Sequence, residues 1–195
     1  FIQEVYWRIY WKGWLENRPS VWTQFLLKDN EKFNYKDYER AINAQTDLFF
    51  FNEWVEELKG FNYLHNHTRM WFASTWIFNL GLPWQLGARF FLEHLYDGDA
   101  ASNTLSWRWV AGLHTKGKKY LFSPKNLKKF SNNRFIVNEI NNKQIDLADQ
   151  YVFEFDNDIF KNNMKKNSDY LILFENDLHL PTLKNLISNY EEVLI

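Results

Sequence analysis

NYLHNHTRMWFASTWIFNLGLPWQLGARFFLEHLYDGDAASNTLSWRW, residues 62–109, reads as three consecutive helices carrying two polar clusters among aromatics. The first cluster is Asn66, Arg69 and Met70, whose i, i+3, i+4 spacing sets them on one helix face. The second is Asp97, Asp99 and Asn103, and Trp84, Trp107 and Trp109 accompany them. A buried polar group without a partner costs a few kcal/mol, so the clusters imply something to bind. Residues 63–79 show almost no polar stripe after Arg69, the pattern of a helix buried on most sides, and an arginine there calls for a carboxylate partner.

Gly81-Leu82-Pro83 reads as a turn, Trp84–Tyr96 as the next helix, and Asp99 as the N-cap of a helix from Ala100 to about Leu113. Turn chemistry and capping would equally explain Asp97 and Asp99, and a paired-carboxylate metal site lacks nearby ligands. Asn103 and Trp107 are i, i+4 neighbours, whereas Trp107 and Trp109 diverge. His65 and His67, two apart, are expected on different faces, so no metal site is expected.

Upstream, residues 1–17 have apolar or aromatic positions at Ile2, Val5, Tyr6, Ile9, Tyr10 and Trp14, close to helical period. Glu4 and Trp7 share a face, with Arg8 four residues from Glu4; a surface pair explains them as readily as a site. Arg18-Pro19-Ser20 breaks that helix. Residues 36–46 form a short helix and Asp47–Leu58 another, with Asp47 as N-cap and Gly60 as the C′ residue. Downstream, Ser123-Pro124 opens a basic helix, Lys125–Ser131. With Lys116, Lys118 and Lys119 it forms either a phosphate-contacting patch or a solvated basic face. Residues 136–168 read as a linker. Residues 169–195 read as the start of an α/β element, with a strand at Tyr170–Phe174 and a helix at Pro181–Leu194. A lone strand is marginally stable, so this one needs a partner.

Of the 195 residues 19% are aromatic, including 10 Trp and 18 Phe. Stacking or electron transfer on one side, and a large aromatic core on the other, both accommodate that composition. The absence of cysteine excludes disulfides and thiolate metal sites. No apolar run approaches the roughly 20 residues of a membrane span and no signal peptide is visible, so the expectation is a cytoplasmic protein without membrane contact. The net charge of −1 conceals seven Lys or Arg and no acid between His114 and Arg134. The start at Phe1 and the end without a polar tail read as a piece of a longer protein.

Three ordered motifs give a specific signal: EVYWR at Glu4–Arg8, HN-x-x-RM at His65–Met70, and DGD-x-x-SN followed by W-x-W from Asp97 to Trp109. Together they resemble the FAD-binding helical domain of the photolyase and cryptochrome family over about residues 1–135, most strongly over Tyr63–Trp109. The resemblance implies a mainly α fold and FAD as cofactor. It sets Arg8, Asn66, Arg69, Asp97, Asp99 and Asn103 around the flavin, with Asn103 near its N5 and Arg69 paired to Asp97. It gives Glu4, Trp7, Asn66, Met70 and Trp109 to contact with a flipped pyrimidine dimer in damaged DNA. Members acting on (6-4) lesions carry histidines where Asn66 and Met70 stand, which favours the cyclobutane dimer. Asn66, Asn103, Trp107 and Trp84 become the catalytic set, the two tryptophans as inner and middle members of a chain that photoreduces the flavin.

The outer member is missing in register, where the chain reads Glu31 near Phe33 and Tyr35, leaving a tyrosine as candidate stand-in. His67 replaces the family's usual arginine. The Ser/Thr-rich segment that holds the FAD phosphates, and the N-terminal α/β antenna domain, would lie upstream. HNHTRMWFAS, WRWVAGLHTKGKKYL and YLILFENDL are similar to a bacterial branch carrying a further α/β region after the flavin domain. The implied function is a blue-light-driven lyase that repairs cyclobutane dimers by electron transfer from reduced FAD. A cryptochrome-type photoreceptor without repair, and a fragment unable to bind FAD, are the alternatives. Metal is not expected, and the sequence does not fix the oligomeric state.

Overall fold

Helix signals in the sequence are mostly local, and the computed structural model, which describes residues 2–27, 33–115, 118–147, 170–172, 187 and 192–194, realises most of them. The chain divides into two compact units, residues 1–156 and 157–195. In the first, α1 (Ile2–Glu16) is followed by α2 (Pro19–Leu27), α3 (Tyr35–Ile42), α4 (Phe49–Phe61) and α5 (Asn66–Ser74). A π-helical segment, Thr75–Leu80, continues α5; α6 (Trp84–His94), α7 (Ala100–Val110) and α8 (Pro124–Phe130) complete the set. The fold is mainly α.

Several termini depart from expectation for identifiable reasons. Pro19 starts α2 rather than only breaking the chain, because proline at the first helical position loses no bond. Asp47 does not cap α4: the cap is Leu48, and Asp47 pairs with Arg40 at 2.8 Å. Thr46 and Asn52 tie that end instead, Thr46 N–H donating to Asn52 Oδ1 at 3.0 Å and Asn52 Nδ2 to Thr46 O at 2.8 Å. Gly60 lies inside α4, and Asn62 takes the left-handed cap at φ 55°. Ser123 caps α8 and Asp99 caps α7, as their side-chain chemistry dictates.

The core is aromatic. Phe72 on α5 meets Phe51 at 4.6 Å and Phe91 at 4.9 Å between ring centroids, and Trp107 edge-on at 6.3 Å. Trp54, Trp76 and Trp107 are buried beside it. Gly87 lets α6 close on α7: a Cβ there would stand 2.3 Å from the Trp107 ring. α7 packs against α1, α5 and α6, which brings the two polar clusters into one region. Residues 136–147 have no helix or strand, yet Val137, Ile140, Ile145 and Leu147 pack against the core.

In the second unit β1 (Tyr170–Ile172) pairs in parallel with β2 (Glu192–Leu194), Leu171 opposite Val193. This corrects the expected helix Pro181–Leu194 at its end, where Glu192-Val193-Leu194 supplies the ladder partner that β1 requires. Ile187 is helical, and the rest of that expected helix and Leu173–Phe174 lie outside the described residues. A parallel pair needs a connection of about a dozen residues or more, and residues 173–191 separate the two strands in the sequence.

Candidate flavin and substrate cavity

The first turn of α5 carries Asn66, Arg69 and Met70 on one face, and all three line a cavity of about 1290 Å³. Arg69 is held at both ends of its guanidinium. Its Nε donates to Leu64 O at 2.7 Å and its NH2 pairs with Asp97 Oδ1 at 2.9 Å, while the Tyr63 ring lies 5.1 Å away. Asp97 is reached from the other side by Arg8 of α1, whose NH2 is 3.4 Å from Oδ2 and 3.3 Å from the Asp97 carbonyl. Lys12, one turn beyond Arg8, stands 3.6 Å from Asp99 Oδ2. Among the described residues, three cations thus pair with two carboxylates beside the cavity.

Asp99 Oδ1 accepts from Ser102 N at 2.8 Å. Burial raises the Asp99 carboxyl, but the hydrogen bonds from Ser102 and the charges of Lys12 and Arg8 overcome this and hold it below its ordinary value. Asn103, one helical turn from Asp99, also lines the cavity, its Nδ2 donating to Ala88 O of α6 at 2.8 Å. That bond fastens α7 to α6 beside the buried Trp107.

Aromatic rings make the remaining wall. Trp7 and Trp109 both line the cavity and are partly open to solvent, 46% and 37% exposed. Trp7 stacks on Trp11 at 5.7 Å and 25°, the i, i+4 arrangement. Trp11 in turn meets the His114 ring at 4.8 Å. His114 Nδ1 is a buried polar atom without a hydrogen-bond partner among the described residues, and the residue lines the cavity. Burial, then Arg108 and Arg18, push its pKa below the ordinary value.

Of the residues expected to act together, Trp7, Arg8, Asn66, Arg69, Met70, Asp97, Asp99, Asn103, Trp107 and Trp109 share this one cavity. Trp84 does not line it; buried, it stacks on Phe25 at 5.6 Å with the Arg108 guanidinium 5.9 Å from its ring. Glu4 belongs to α1, and its side chain, like Glu31, lies outside what the structure describes. Sequence reasoning missed Lys12, Trp11 and His114. The signal for the first two was available, since each stands four residues after Arg8 and Trp7.

The histidine pair corrects the facing argument. His65 precedes the first turn as N-cap, its Nδ1 accepting from His67 N at 3.3 Å, and the two rings stack at 5.6 Å and 5°. Helical spacing does not govern a residue outside the helix. Among the described residues no group of three His, Asp or Glu gathers to hold a metal ion, and no helix is long and apolar enough to cross a membrane.

The helical body thus holds a cavity with charged residues and aromatic rings in its wall, and comparison with known proteins gives the family. Residues 1–157 match the family model of the FAD binding domain of DNA photolyase, and the chain belongs to that family. It is 28% identical to the deoxyribodipyrimidine photo-lyase of Buchnera aphidicola over 64% of this chain and 27% of that one. Against the same enzyme of Neurospora crassa the identity is 31%, over 64% of this chain and 21% of the relative. A crystal structure of a bacterial class III photolyase from Agrobacterium tumefaciens superposes with a TM-score of 0.58 at 26% identity, covering 68% of this chain and 29% of that one. The chain therefore spans about a quarter of the length of these relatives.

Proposed function

We propose that this chain is the flavin-holding helical part of a light-driven DNA-repair lyase acting on cyclobutane pyrimidine dimers. The observation that carries this reading is the meeting, in one cavity, of a charged clamp and an aromatic wall. The donor set fits a flavin. Arg69, Arg8 and Lys12 offer N–H donors to anionic or carbonyl oxygens, Asp97 and Asp99 fix those cations, and Asn66 and Asn103 offer amides to a heteroaromatic edge. The unpartnered His114 Nδ1 leaves a further polar group for a ligand to satisfy. The chemistry that a bound flavin supplies is light-driven donation of one electron to the dimer and its recovery after ring opening.

Everything else falls to the chain's own residues. Trp7 and Trp109 give flat apolar faces against which two pyrimidines stack, a contact worth about 1–3 kcal/mol per base. Met70 fills space between them without competing for hydrogen bonds, and Glu4 and Asn66 take the polar edges of the dimer. A damaged pair costs less to unstack than an intact one, which favours extrusion of the lesion into the cavity. Lys118, Lys119, Lys125, Lys128 and Lys129, all exposed, supply phosphate contacts. Trp107, on the cavity wall, serves the reduction of the flavin.

The test is reconstitution of the chain with FAD, chemical reduction, and illumination with an oligonucleotide carrying one cyclobutane dimer. Restored intact thymines and a bound flavin spectrum are expected. Bound, reduced flavin with no repair under blue light would overturn the repair reading, and the photoreceptor reading would replace it.

A further inference from the structure

Trp107 touches the cavity with one side of its ring, and its other neighbours include a second tryptophan on a different course from Trp84. Trp76, in the π-helical segment, lies edge-on to Trp107 at 6.3 Å and 87° between centroids. Tyr38 of α3 lies edge-on to Trp76 at 6.0 Å, and Tyr35 stands 6.2 Å from Tyr38. Trp107 and Trp76 are sealed from water, while Tyr35 is 60% exposed. Each member of the series is oxidisable, and none is separated from the next by more than ring contact. From these four rings we infer a hole-transfer branch, Trp107–Trp76–Tyr38–Tyr35, that connects the cavity wall to the surface at Tyr35.

Electrostatics favours this course over the one through Trp84. A hole is a positive charge, and the guanidinium of the buried Arg108 lies 5.9 Å from the Trp84 ring, a charge of the same sign. The Trp84 ring also stacks on Phe25, beyond which Trp22 lies at 5.3 Å, and a phenylalanine ring is far harder to oxidise than an indole or phenol. Trp76 by contrast donates its Nε1–H to Pro83 O at 2.9 Å. The carbonyl dipole favours a positive ring, and an amide oxygen is too weak a base to take the proton and trap the hole. Burial, then Glu93 and Tyr35, raise the Tyr38 phenol against the opposing effect of Arg89, so its oxidation is coupled to loss of its proton.

The balance is simple. One electron leaves Trp107 for a photo-excited oxidant in the cavity and Trp76 refills Trp107; Tyr38, half-buried, refills Trp76 as its phenolic proton passes to water, and Tyr35 then refills Tyr38, which takes a proton back from water. Tyr35 ends as a neutral radical, its phenolic proton released to bulk water, and a solution thiol restores it by donating a hydrogen atom. The natural oxidant is the flavin of the proposed function, so the biological role rests on that reading, whereas the path itself belongs to the protein.

The absence of cysteine from the sequence permits a test that needs no flavin. Ser106→Cys places one thiol on an exposed position of the cavity lining, where a ruthenium polypyridyl photo-oxidant is attached and oxidised by flash and quencher. A nitroso spin trap and peptide mass spectrometry then locate the radical. An adduct at Tyr35 is expected, lost in Tyr38→Phe and in Trp76→Phe and retained in Trp84→Phe. Tyr38→Phe is nearly isosteric, so it keeps the test decisive where Trp76→Phe unfolds, as helical circular dichroism would report. A Tyr35 adduct that survives Tyr38→Phe, or that is lost in Trp84→Phe, overturns the branch, as does its absence from the parent. The same mapping with FAD in place of ruthenium separates the two readings: no bound flavin with an intact ruthenium result removes the function and leaves the path.

Discussion

Two aromatic populations meet at Trp107, and they differ in what holds them. On the sealed side Phe72, Trp76 and Trp54 are buried among other rings, each neighbour fixing the next. On the cavity side Trp7, Tyr10 and Trp109 keep a third or more of their surface open. Apolar area removed from water stabilises at about 25 cal/mol per Å², so the sealed rings carry the stability of the first unit. The open rings forgo much of that stabilisation, which is the arrangement of a surface that a ligand covers.

Substitutions can break this division, and the largest effect belongs to the sealed side. Trp54, packed on Phe50, Phe122 and Phe135, should cost about 3–5 kcal/mol when changed to alanine, read as a lower midpoint in urea. Gly87→Ala tests the close approach of α6 and α7. Its methyl would overlap Trp107, and overpacking of this kind costs about 1–3 kcal/mol; a midpoint equal to the parent's would show that the helices are free to separate. Trp7→Ala should leave stability within about 0.5 kcal/mol but weaken binding of dimer-containing DNA, measured by fluorescence anisotropy. Equal loss of stability and binding would place Trp7 with the sealed rings.

The smallest effect is a pH dependence at His114, whose ring packs on Tyr10, Trp11 and Trp14 of α1. Its imidazole is held below the ordinary pKa in the folded state by burial, then by Arg108 and Arg18. As pH falls below about 6.5 the unfolded chain takes up a proton more readily than the folded one, so stability falls with pH in that window. His114→Gln should flatten the melting temperature there relative to the parent, and an unchanged slope would assign the dependence elsewhere.

Much of the site was legible because its signals are local. The spacing of Asn66, Arg69 and Met70 fixes a shared face once the segment is helical, and Asp99 caps α7 through its own side chain. The motifs at Glu4–Arg8, His65–Met70 and Asp97–Trp109 gave the family. The failures also have local causes. Pro19 reads equally as a breaker and as a first helical residue, and Asp47 looks like a cap until Arg40 takes its carboxylate. His65 escapes helical spacing by standing one position outside the helix. The Trp76–Tyr38 contact had no signal at all, since nothing in either segment specifies the other.

By itself the sequence determined helix positions, two polar clusters and, through ordered motifs, membership of a flavin-binding family. These follow from periodicity and capping, which depend on residues a few positions apart. Only the tertiary structure decided that Arg8 reaches Asp97 across 89 residues, that Trp107 is sealed while Trp109 stays open, and that four rings from α3, the π-helical segment and α7 line up. Such contacts depend on how whole helices pack, and each helix face can pack in several ways until side-chain volumes, such as the missing Cβ of Gly87 against Trp107, select one.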